Sequence, residues 1–372
     1  MHRWIGLTAL LAFAVTWGRS AIDLEVYRAA GAALLHGHDL YGASLPGTTS
    51  NLPFVYPPFA ALPFSLFALL PLPFVPVLMT VISAAALTAT CVIVARRCGS
   101  TQTATQTVGG AVAAASVLLE PLMTNFLFGQ INVVLMLLVV ADCLLPRTPW
   151  PRGLLIGIAA AVKLTPVAFL LFFLVRGQWR PILTALGGFV GAGLLTLAVT
   201  PGNSIRYWTD VLFRPDRITV PSWGDNQSLR GMLARLAAPD WAWLLAVVLV
   251  IAVAWLSVHR LRARDEDVPA LLVIAVAGLL VSPVSWGHHW SWVAPALVAV
   301  VITLWRLGNR WLWAVLAVAL VPFVLGPHRF LPRAAAEQLG WTPLDHLVGN
   351  CYVVIGVVLL GLTLRGRAPS SA

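Results

Sequence analysis

The sequence predicts an all-α polytopic membrane protein with about 10–12 transmembrane helices. Hydrophobic residues make up 59% of the 372 residues and charged residues only 10%, whereas a soluble domain carries about 25% charged residues. The mean hydropathy is +0.86, and apolar stretches recur that approach the ~20 residues a helix needs to cross a bilayer. The 16 Trp and 26 Pro fit this class, because indole rings favour the membrane interface and membrane helices tolerate breaks at Pro.

Composition also argues against several functions. The formal net charge is +10, but the Arg residues are spread over short loops without a basic run, so no nucleic-acid partner is expected. The four cysteines show no paired spacing, so neither a zinc site nor a disulfide framework is predicted. These four are Cys91, Cys98, Cys143 and Cys351.

The candidate spans follow from the apolar stretches in chain order. The first, which has a short basic start but no clean cleavage pattern after it, is interpreted as a retained helix rather than a signal peptide. The spans are predicted at 4–18, 74–95, 108–120, 131–145, 153–175, 182–200, 241–258, 268–282, 290–305, 311–326 and 347–364. We expect residues 1–372 to form a single transmembrane domain, because no extramembrane segment is long enough for a soluble one.

The loops between these spans alternate between Arg-rich and Arg-poor. The positive-inside rule assigns short Arg-rich loops to the cytoplasm, which predicts a multi-pass protein of the plasma membrane with both termini inside. The basic clusters lie at Arg3, Arg96–Arg97, Arg147/Arg152, Arg176/Arg180, Arg260–Arg264, Arg306/Arg310 and Arg365/Arg367. The loops expected on the extracytoplasmic side are 19–57, 121–130, 201–235, 282–290 and 327–346.

Two apolar stretches are predicted to be irregular. The stretch 153–175 has Arg at both ends and contains Pro166, so a pair of short helices broken at that proline satisfies the charge rule better than a single crossing. The stretch 59–70 follows Tyr56-Pro57-Pro58 and is predicted to be a re-entrant or partly inserted helix.

The first external loop, 19–57, contains the candidate catalytic acid. Asp23 and Glu25 open a mixed-polarity stretch that suits a short helix on the membrane surface. A carboxylate there could act as a general base on a sugar or lipid head group. In a helix that starts at Asp23, Glu25 points about 200° away, while Tyr27 shares the face of Asp23. The residues alone leave open a purely structural role, in which both acids favour the helix dipole.

Scarce cations mark the candidate phosphate site. Lys163 is the only lysine of the chain and lies inside an apolar stretch, where an ionisable group is costly and indicates function by default. His288 and His289 lie beside Trp286 and Trp290 at a predicted external helix start. Because neighbouring residues do not share a helix face, only one of the two histidines is expected to point into a site. Snorkelling of Lys163 and an interfacial belt for the histidines are the alternatives.

Amides and indoles supply candidate sugar contacts. The carboxylate of Asp225 and the amides of Asn226 and Gln227 follow Trp223 in an external loop. Gln130 and Asn132 open a predicted span. Such side chains hydrogen-bond sugar hydroxyls, but the same residue types also cap helices, so both roles stay open at this point.

Taken together, these motifs resemble glycosyltransferase family 87 of the C-type membrane glycosyltransferases. The similarity consists of Asp23, Tyr27, Gly37, Asp39 and Tyr41, then Tyr56-Pro57-Pro58, Gly129-Gln130-Ile131-Asn132, Lys163-Leu164-Thr165-Pro166, Asn226-Gln227-Ser228 and Ser282 to His289, in this order. No single motif is specific, but their order along nearly the whole chain is.

The resemblance implies the C-type glycosyltransferase fold and an inverting mannosyltransferase that uses polyprenyl-phosphate mannose on the extracytoplasmic face. It implies a mannosylated lipid or lipoglycan acceptor, such as a phosphatidylinositol mannoside, and an α-1,2 linkage. It selects Asp23 as the catalytic residue and implies neither metal nor cofactor. Lys163, His288 and His289 are then the candidates for the donor phosphate. The substrate-binding candidates are Tyr27, Asp39, Tyr56, Gln130, Asn132, Trp223, Asn226, Gln227 and Trp286.

Two other classes compete with this interpretation. A transporter or lipid flippase would also have broken helices and an intramembrane lysine, but often shows inverted repeats, and none is visible. Another lipid-phosphate-sugar transferase, of the O-antigen ligase or polymerase type, usually has one large external loop with Arg and His. Here the acid lies in the first loop.

Overall fold

A computed structural model describes residues 1–19, 21–42, 45, 47–49, 52–99, 101–214, 220–332 and 340–364, and within them the chain is helical, without β-strands. The all-α class is thus confirmed. The basic cluster predicted at Arg365 and Arg367 lies outside the described residues. The α-helices are α1 (His2–Thr16), α2 (Ile22–Leu35), α3 (Ala61–Ala68), α4 (Phe74–Arg97), α5 (Gln102–Ser116), α6 (Glu120–Phe128), α7 (Asn132–Leu144), α8 (Leu154–Val162), α9 (Leu171–Leu174), α10 (Trp179–Val199), α11 (Pro201–Thr209), α12 (Leu229–Arg235), α13 (Asp240–Ala263), α14 (Asp267–Val281), α15 (Val293–Leu307), α16 (Arg310–Leu325), α17 (Pro343–Gly349) and α18 (Cys351–Leu364).

Several of these helices are long and apolar enough to cross a bilayer. Five qualify singly among the described residues, and seven qualify if two bent pairs, α5 with α6 and α17 with α18, each form one span. Four shorter apolar helices accompany them, and the count of 10–12 crossings stays a prediction. α10 and α13 expose rows of Leu and Val, which is the surface that a helix presents to lipid.

The first external loop is folded onto the helices. α2 packs against α3 so closely that a Cβ on Gly31 would lie 2.4 Å from the Phe64 carbonyl oxygen. A 3₁₀-helix, Pro58–Ala60, precedes α3, and together they form the short apolar piece predicted at 59–70. Tyr27, Tyr56 and Phe64 belong to a second hydrophobic cluster, separate from the main core. The loop therefore has its own packing, which fixes the position of α2.

The break in the stretch 153–175 lies at Lys163 and not at Pro166. α8 ends at Val162, Lys163 has an extended backbone (φ −151°, ψ 128°), and a 3₁₀-helix runs from Thr165 to Leu170. Pro166 lies in the first turn of that new helix. Proline is tolerated there, and the chain must leave helical geometry before it. This places the lysine, rather than the proline, at the opening between two helices.

Basic clusters gather at one end of the helices. Arg97 and Arg262 both bond Asp267, and Arg306 donates to the carbonyl of Cys98. Asp267 begins α14, whose 15 residues span about 21 Å at 1.5 Å per residue. Ser282, at the other end of α14, borders the polar cavity described next.

Candidate active site

One cavity of about 610 Å³ collects residues from eight separate segments of the chain. Most of the predicted site residues line it, although they are far apart in sequence. They are Asp23, Tyr27, Tyr56, Gln130, Lys163, Trp223, Trp286, His288 and His289. The structure thus brings together the first-loop acid, the intramembrane lysine and the histidine pair.

Asp23 lies in the first turn of α2, and Ala21, not Asp23, is the N-cap residue. Its carboxylate is hydrogen-bonded to the side chain of Gln130. Burial raises the pKa of Asp23 to about 6, while the Gln130 hydrogen bond and the charge of Lys163 act in the opposite direction. A carboxylate with a pKa near the working pH is ionised at neutral pH and still basic enough to take a proton from a hydroxyl group.

The amide of Gln130 is oriented by two tyrosines. The Tyr27 hydroxyl lies 2.9 Å and the Tyr56 hydroxyl 3.3 Å from Gln130 Oε1, and the two hydroxyls are 2.8 Å apart. Because hydroxyl donors face its carbonyl oxygen, the NH₂ group of Gln130 is the part left for Asp23. The tyrosines therefore position Asp23 through Gln130, and all three belong to predicted motifs.

Lys163 lies on the wall of the same cavity. Its Nζ donates to Asn132 Oδ1 at 2.9 Å, lies 3.1 Å from His289 Nε2, and is 5.4 Å from the centre of the Tyr56 ring. Asn132 itself does not line the main cavity. Its place is behind the lysine, so it is a positioning residue rather than the direct sugar contact expected from the sequence.

Both histidines line the cavity, which differs from the expectation that only one would. They belong to a 3₁₀-helix, Gly287–Trp292, and their ring centroids are 4.7 Å apart. The His289 ring faces Lys163 while the His288 ring packs edge-on against Phe128. Because this segment runs along the cavity, two rings that diverge by about 120° still contact the same space. His288 Nε2 is buried, and no described residue hydrogen-bonds to it.

Asn226 and Gln227 do not reach the cavity, although the sequence suggested sugar contacts for both. Both are fully buried. Asn226 bonds the carbonyls of Pro221 and Pro283 and the amide of Ser285, and the Gln227 NH₂ group donates to the carbonyls of Gly224 and Gly349. Their amides tie the external loops together, and this brings Trp223 and Trp286 to the cavity wall.

Asp39 also lies outside the cavity. It accepts from the Tyr41 amide at 2.9 Å and pairs with Arg206 at 2.5 Å, with its side chain half exposed. Glu25 is likewise turned away from the cavity, where its Oε2 accepts from the hydroxyl and amide of Thr49 at 2.7 and 3.1 Å. The opposite directions of Asp23 and Glu25 match the helical geometry predicted for residues 23 and 25.

Sequence reasoning missed three acidic or basic cavity residues, Glu120, His328 and Arg329, whereas Asp225, expected as a sugar-binding carboxylate, also lines the cavity. Glu120 is buried at the start of α6. An acid beside Pro121 at the end of an apolar stretch is a usable signal for an intramembrane functional residue. His328 and Arg329 lie in a 3₁₀-helix, Pro327–Phe330, where nothing in the local sequence distinguishes them. In the described part of the chain, no three His, Cys, Asp or Glu residues cluster in a way that would hold a metal ion.

Comparisons with known proteins show the family of the chain. The model of glycosyltransferase family 87 matches residues 54–283. Two relatives are named polyprenol-phosphate-mannose-dependent alpha-(1-2)-phosphatidylinositol mannoside mannosyltransferase. The Mycobacterium tuberculosis protein is 38% identical over 93% of this chain and 86% of its own length, and the Mycolicibacterium smegmatis protein 39% identical over 93% and 84%.

A third relative from Mycobacterium tuberculosis is named a polyprenol-phosphate-mannose-dependent alpha-(1-2)-phosphatidylinositol pentamannoside mannosyltransferase. It is 32% identical over 92% of this chain and 81% of its own length. No solved structure matches the chain at a significant level.

Proposed function

This chain belongs to glycosyltransferase family 87 and is a glycosyltransferase, and we propose that it moves mannose from polyprenyl-phosphate mannose to a mannosylated lipid or lipoglycan. The donor and the α-1,2 linkage follow the names of the two relatives at 38 and 39% identity. The observation that carries the proposal is the pairing, within one cavity, of the buried carboxylate of Asp23 with the Lys163 and His289 pair.

Asp23 acts as the general base in this proposal. It takes the proton of the acceptor hydroxyl as that oxygen attacks C1 of mannose, and the bond from C1 to the phosphate oxygen breaks with its electron pair going to the phosphate. A β-linked donor then gives an α-linked product in one displacement, so a single carboxylate suffices and no second nucleophilic carboxylate is required. The pKa of about 6 suits this role.

Lys163 and the two histidines receive the leaving group. The polyprenyl phosphate gains negative charge as the bond breaks, and an ammonium group with neighbouring imidazoles stabilises that charge most strongly where water is excluded. His288 Nε2, to which no residue in the described part of the chain hydrogen-bonds, is available to a phosphate oxygen. The leaving group is one phosphate monoester, so the scheme requires neither a metal nor a cofactor.

The proposed location is the extracytoplasmic side of the plasma membrane. The described basic clusters around Asp267 lie about 21 Å along α14 from Ser282 on the cavity wall. If the positive-inside rule holds for these clusters, the cavity opens away from the cytoplasm. A lipid-linked donor suits that side, because nucleotide sugars are made in the cytoplasm.

For the acceptor, we propose a phosphatidylinositol mannoside. The three relatives described above carry this lipid class in their names. An aromatic wall of Trp223 and Trp286 gives apolar faces on which sugar rings stack.

The direct test is transfer by purified protein in lipid. Polyprenyl-phosphate mannose labelled in the sugar is supplied with a phosphatidylinositol mannoside, and GDP-mannose with the same acceptor is the donor control. Labelled glycolipid with an α-1,2 linkage, formed only from the lipid-linked donor, is the expected result. Transfer from GDP-mannose, or movement of donor across the bilayer without transfer, would overturn the proposal.

A further inference from the structure

The main cavity has a second polar end, formed by Glu120, Asp225, His328 and Arg329. Asp225 and Arg329 line it with side chains 23% and 31% exposed, while Glu120 and His328 are almost fully buried. Arg329 Nη1 lies 3.7 Å from Glu120 Oε1, and His328 Nε2 lies 3.8 Å from Asp225 Oδ1. The accessible groups of this end are therefore one carboxylate and one guanidinium.

Glu120 is held in place rather than exposed to a ligand. The Tyr352 hydroxyl donates to its Oε2 at 2.9 Å, and the Thr124 hydroxyl lies 3.2 Å from Oε1. A Cβ on Gly287 would come within 2.9 and 3.0 Å of the two carboxylate oxygens, and a Cβ on Gly326 within 2.5 Å of Glu120 Cγ. Two glycine backbones thus enclose the Glu120 side chain and hold its carboxylate beside Arg329.

This end is too far from Asp23 to contact the reacting atoms. Glu120 begins α6 and Phe128 ends it, which places them about 12 Å apart at 1.5 Å per residue. Gln130, the partner of Asp23, follows directly after that helix end. Reacting atoms lie about 3–3.5 Å apart in a productive complex. A group held by Arg329, whose Nη1 lies 3.7 Å from Glu120 Oε1, is therefore about the length of a sugar unit from the reacting centre.

The charges select a neutral ligand. The carboxylates of Glu120 and Asp225 are matched by the guanidinium of Arg329 and by the charge of Arg235, which also acts on Asp225. This end therefore carries no surplus positive charge that would hold a phosphate. A carboxylate and a guanidinium side by side accept from and donate to adjacent hydroxyls. Trp286, next to Gly287, lines the same cavity and offers a ring face.

We propose that Asp225 and Arg329 bind a sugar of the acceptor glycan beyond the residue whose hydroxyl reacts, with Glu120 as the positioning residue of Arg329. This inference rests on the proposed mannosyl transfer and names the part of the acceptor that the cavity recognises. It makes the second polar end a determinant of how many sugars an acceptor must carry.

Two synthetic acceptors test the assignment. Octyl α-mannoside has one hexose and octyl α-dimannoside has two, and only the second can present a sugar to Asp225 while its terminal hydroxyl lies at Asp23. Rates are measured with both acceptors for wild type and Asp225→Asn. Asp210→Asn is the matched control, because Asp210 forms an exposed ion pair with Arg214 and does not line the cavity.

For Asp225→Asn, the ratio of kcat/KM for the dimannoside over the mannoside should fall about tenfold, as expected for a lost hydrogen bond to a charged group. The KM for the donor should stay within about twofold of wild type, and Asp210→Asn should keep the wild-type ratio. An equal loss with both acceptors, an unchanged ratio, or a rise in donor KM would overturn the subsite. If wild type transfers mannose to neither acceptor nor to a phosphatidylinositol mannoside, the proposed function fails instead.

Discussion

Replacing Asp23 with Asn gives the sharpest test of the site. Asn has nearly the same shape and can still accept from Gln130, but it cannot take a proton. A positioned general base contributes about 10²–10⁴-fold, so we expect Asp23→Asn to lose detectable mannosyl transfer while it still binds both substrates. Glu25→Gln is the matched control, because Glu25 is turned toward Thr49 and away from the cavity, and it should keep most activity.

A stability measurement on Asp23→Asn distinguishes loss of catalysis from misfolding. The pKa of Asp23 is about 6 in the fold against a usual 3.8, so the fold favours the protonated form. The stabilisation that this preference supplies is fully present below pH 3.8 and is lost as the pH rises through about 6. At neutral pH the ionised carboxylate of Asp23 therefore lowers the free energy of unfolding by about 3 kcal/mol. This figure already includes the attraction of Lys163.

Asn does not ionise and removes this cost. Asp23→Asn should therefore unfold at the same Tm as wild type or higher, measured by thermal unfolding of detergent-solubilised protein at pH 7, while its transfer activity is absent. The wild-type kcat/KM should fall tenfold per pH unit below about 6, because only the ionised base reacts. An active Asp23→Asn with an inactive Glu25→Gln would refute the assignment, and a lowered Tm would attribute the lost activity to misfolding.

Three further outcomes are expected. Lys163→Ala should reduce donor kcat/KM about 10- to 100-fold, as for a lost charged contact, with a smaller effect on acceptor KM. Wild-type donor kinetics in this variant would instead indicate that the Lys163 side chain only snorkels to the membrane interface. Asn226→Ala should lower Tm, because about three buried hydrogen bonds at roughly 1 kcal/mol each are lost, while the KM values of the folded fraction stay unchanged. A raised substrate KM at an unchanged Tm would instead show that Asn226 contacts the sugar. Asp39, whose side chain is 49% exposed, should react with an impermeant maleimide added outside intact cells when it is replaced by cysteine. Labelling only from the cytoplasmic side would show that the predicted orientation is wrong.

The sequence predicted the helices well where apolar length alone decides them. The span predicted at 74–95 is observed at Phe74–Arg97, and that at 131–145 at Asn132–Leu144. Breaks are harder to place: the sequence predicts the break at Pro166, whereas the helix ends before Lys163. Proline restricts the residues before it as well as its own position, so a proline in an apolar stretch marks a break only to within a few residues.

Residue type alone could not separate ligand contacts from structural contacts. Asn226 and Gln130 are both polar amides at segment starts, yet only Gln130 lines the cavity. The difference depends on which carbonyls the fold brings near each amide, and those partners come from distant segments such as Pro283 for Asn226. Arg329 was missed for the same reason, because its partner Glu120 lies on another helix.

The cavity is built where helices end, and membrane physics explains why. Hydrocarbon does not satisfy free backbone groups, so irregular backbone at membrane depth is tolerated only where protein or a polar cavity surrounds it. Lys163 follows the end of α8, Gln130 follows the left-handed C-cap Gly129 of α6, and His289 lies in the 3₁₀ turn before α15. The freed backbone and the costly charged side chains therefore share one solvated space. Neither the freed backbone groups nor the charged side chains would be stable in contact with lipid. Polar residues at interruptions of apolar stretches are therefore expected to lie close together, which is why motifs that are far apart in sequence meet at Asp23.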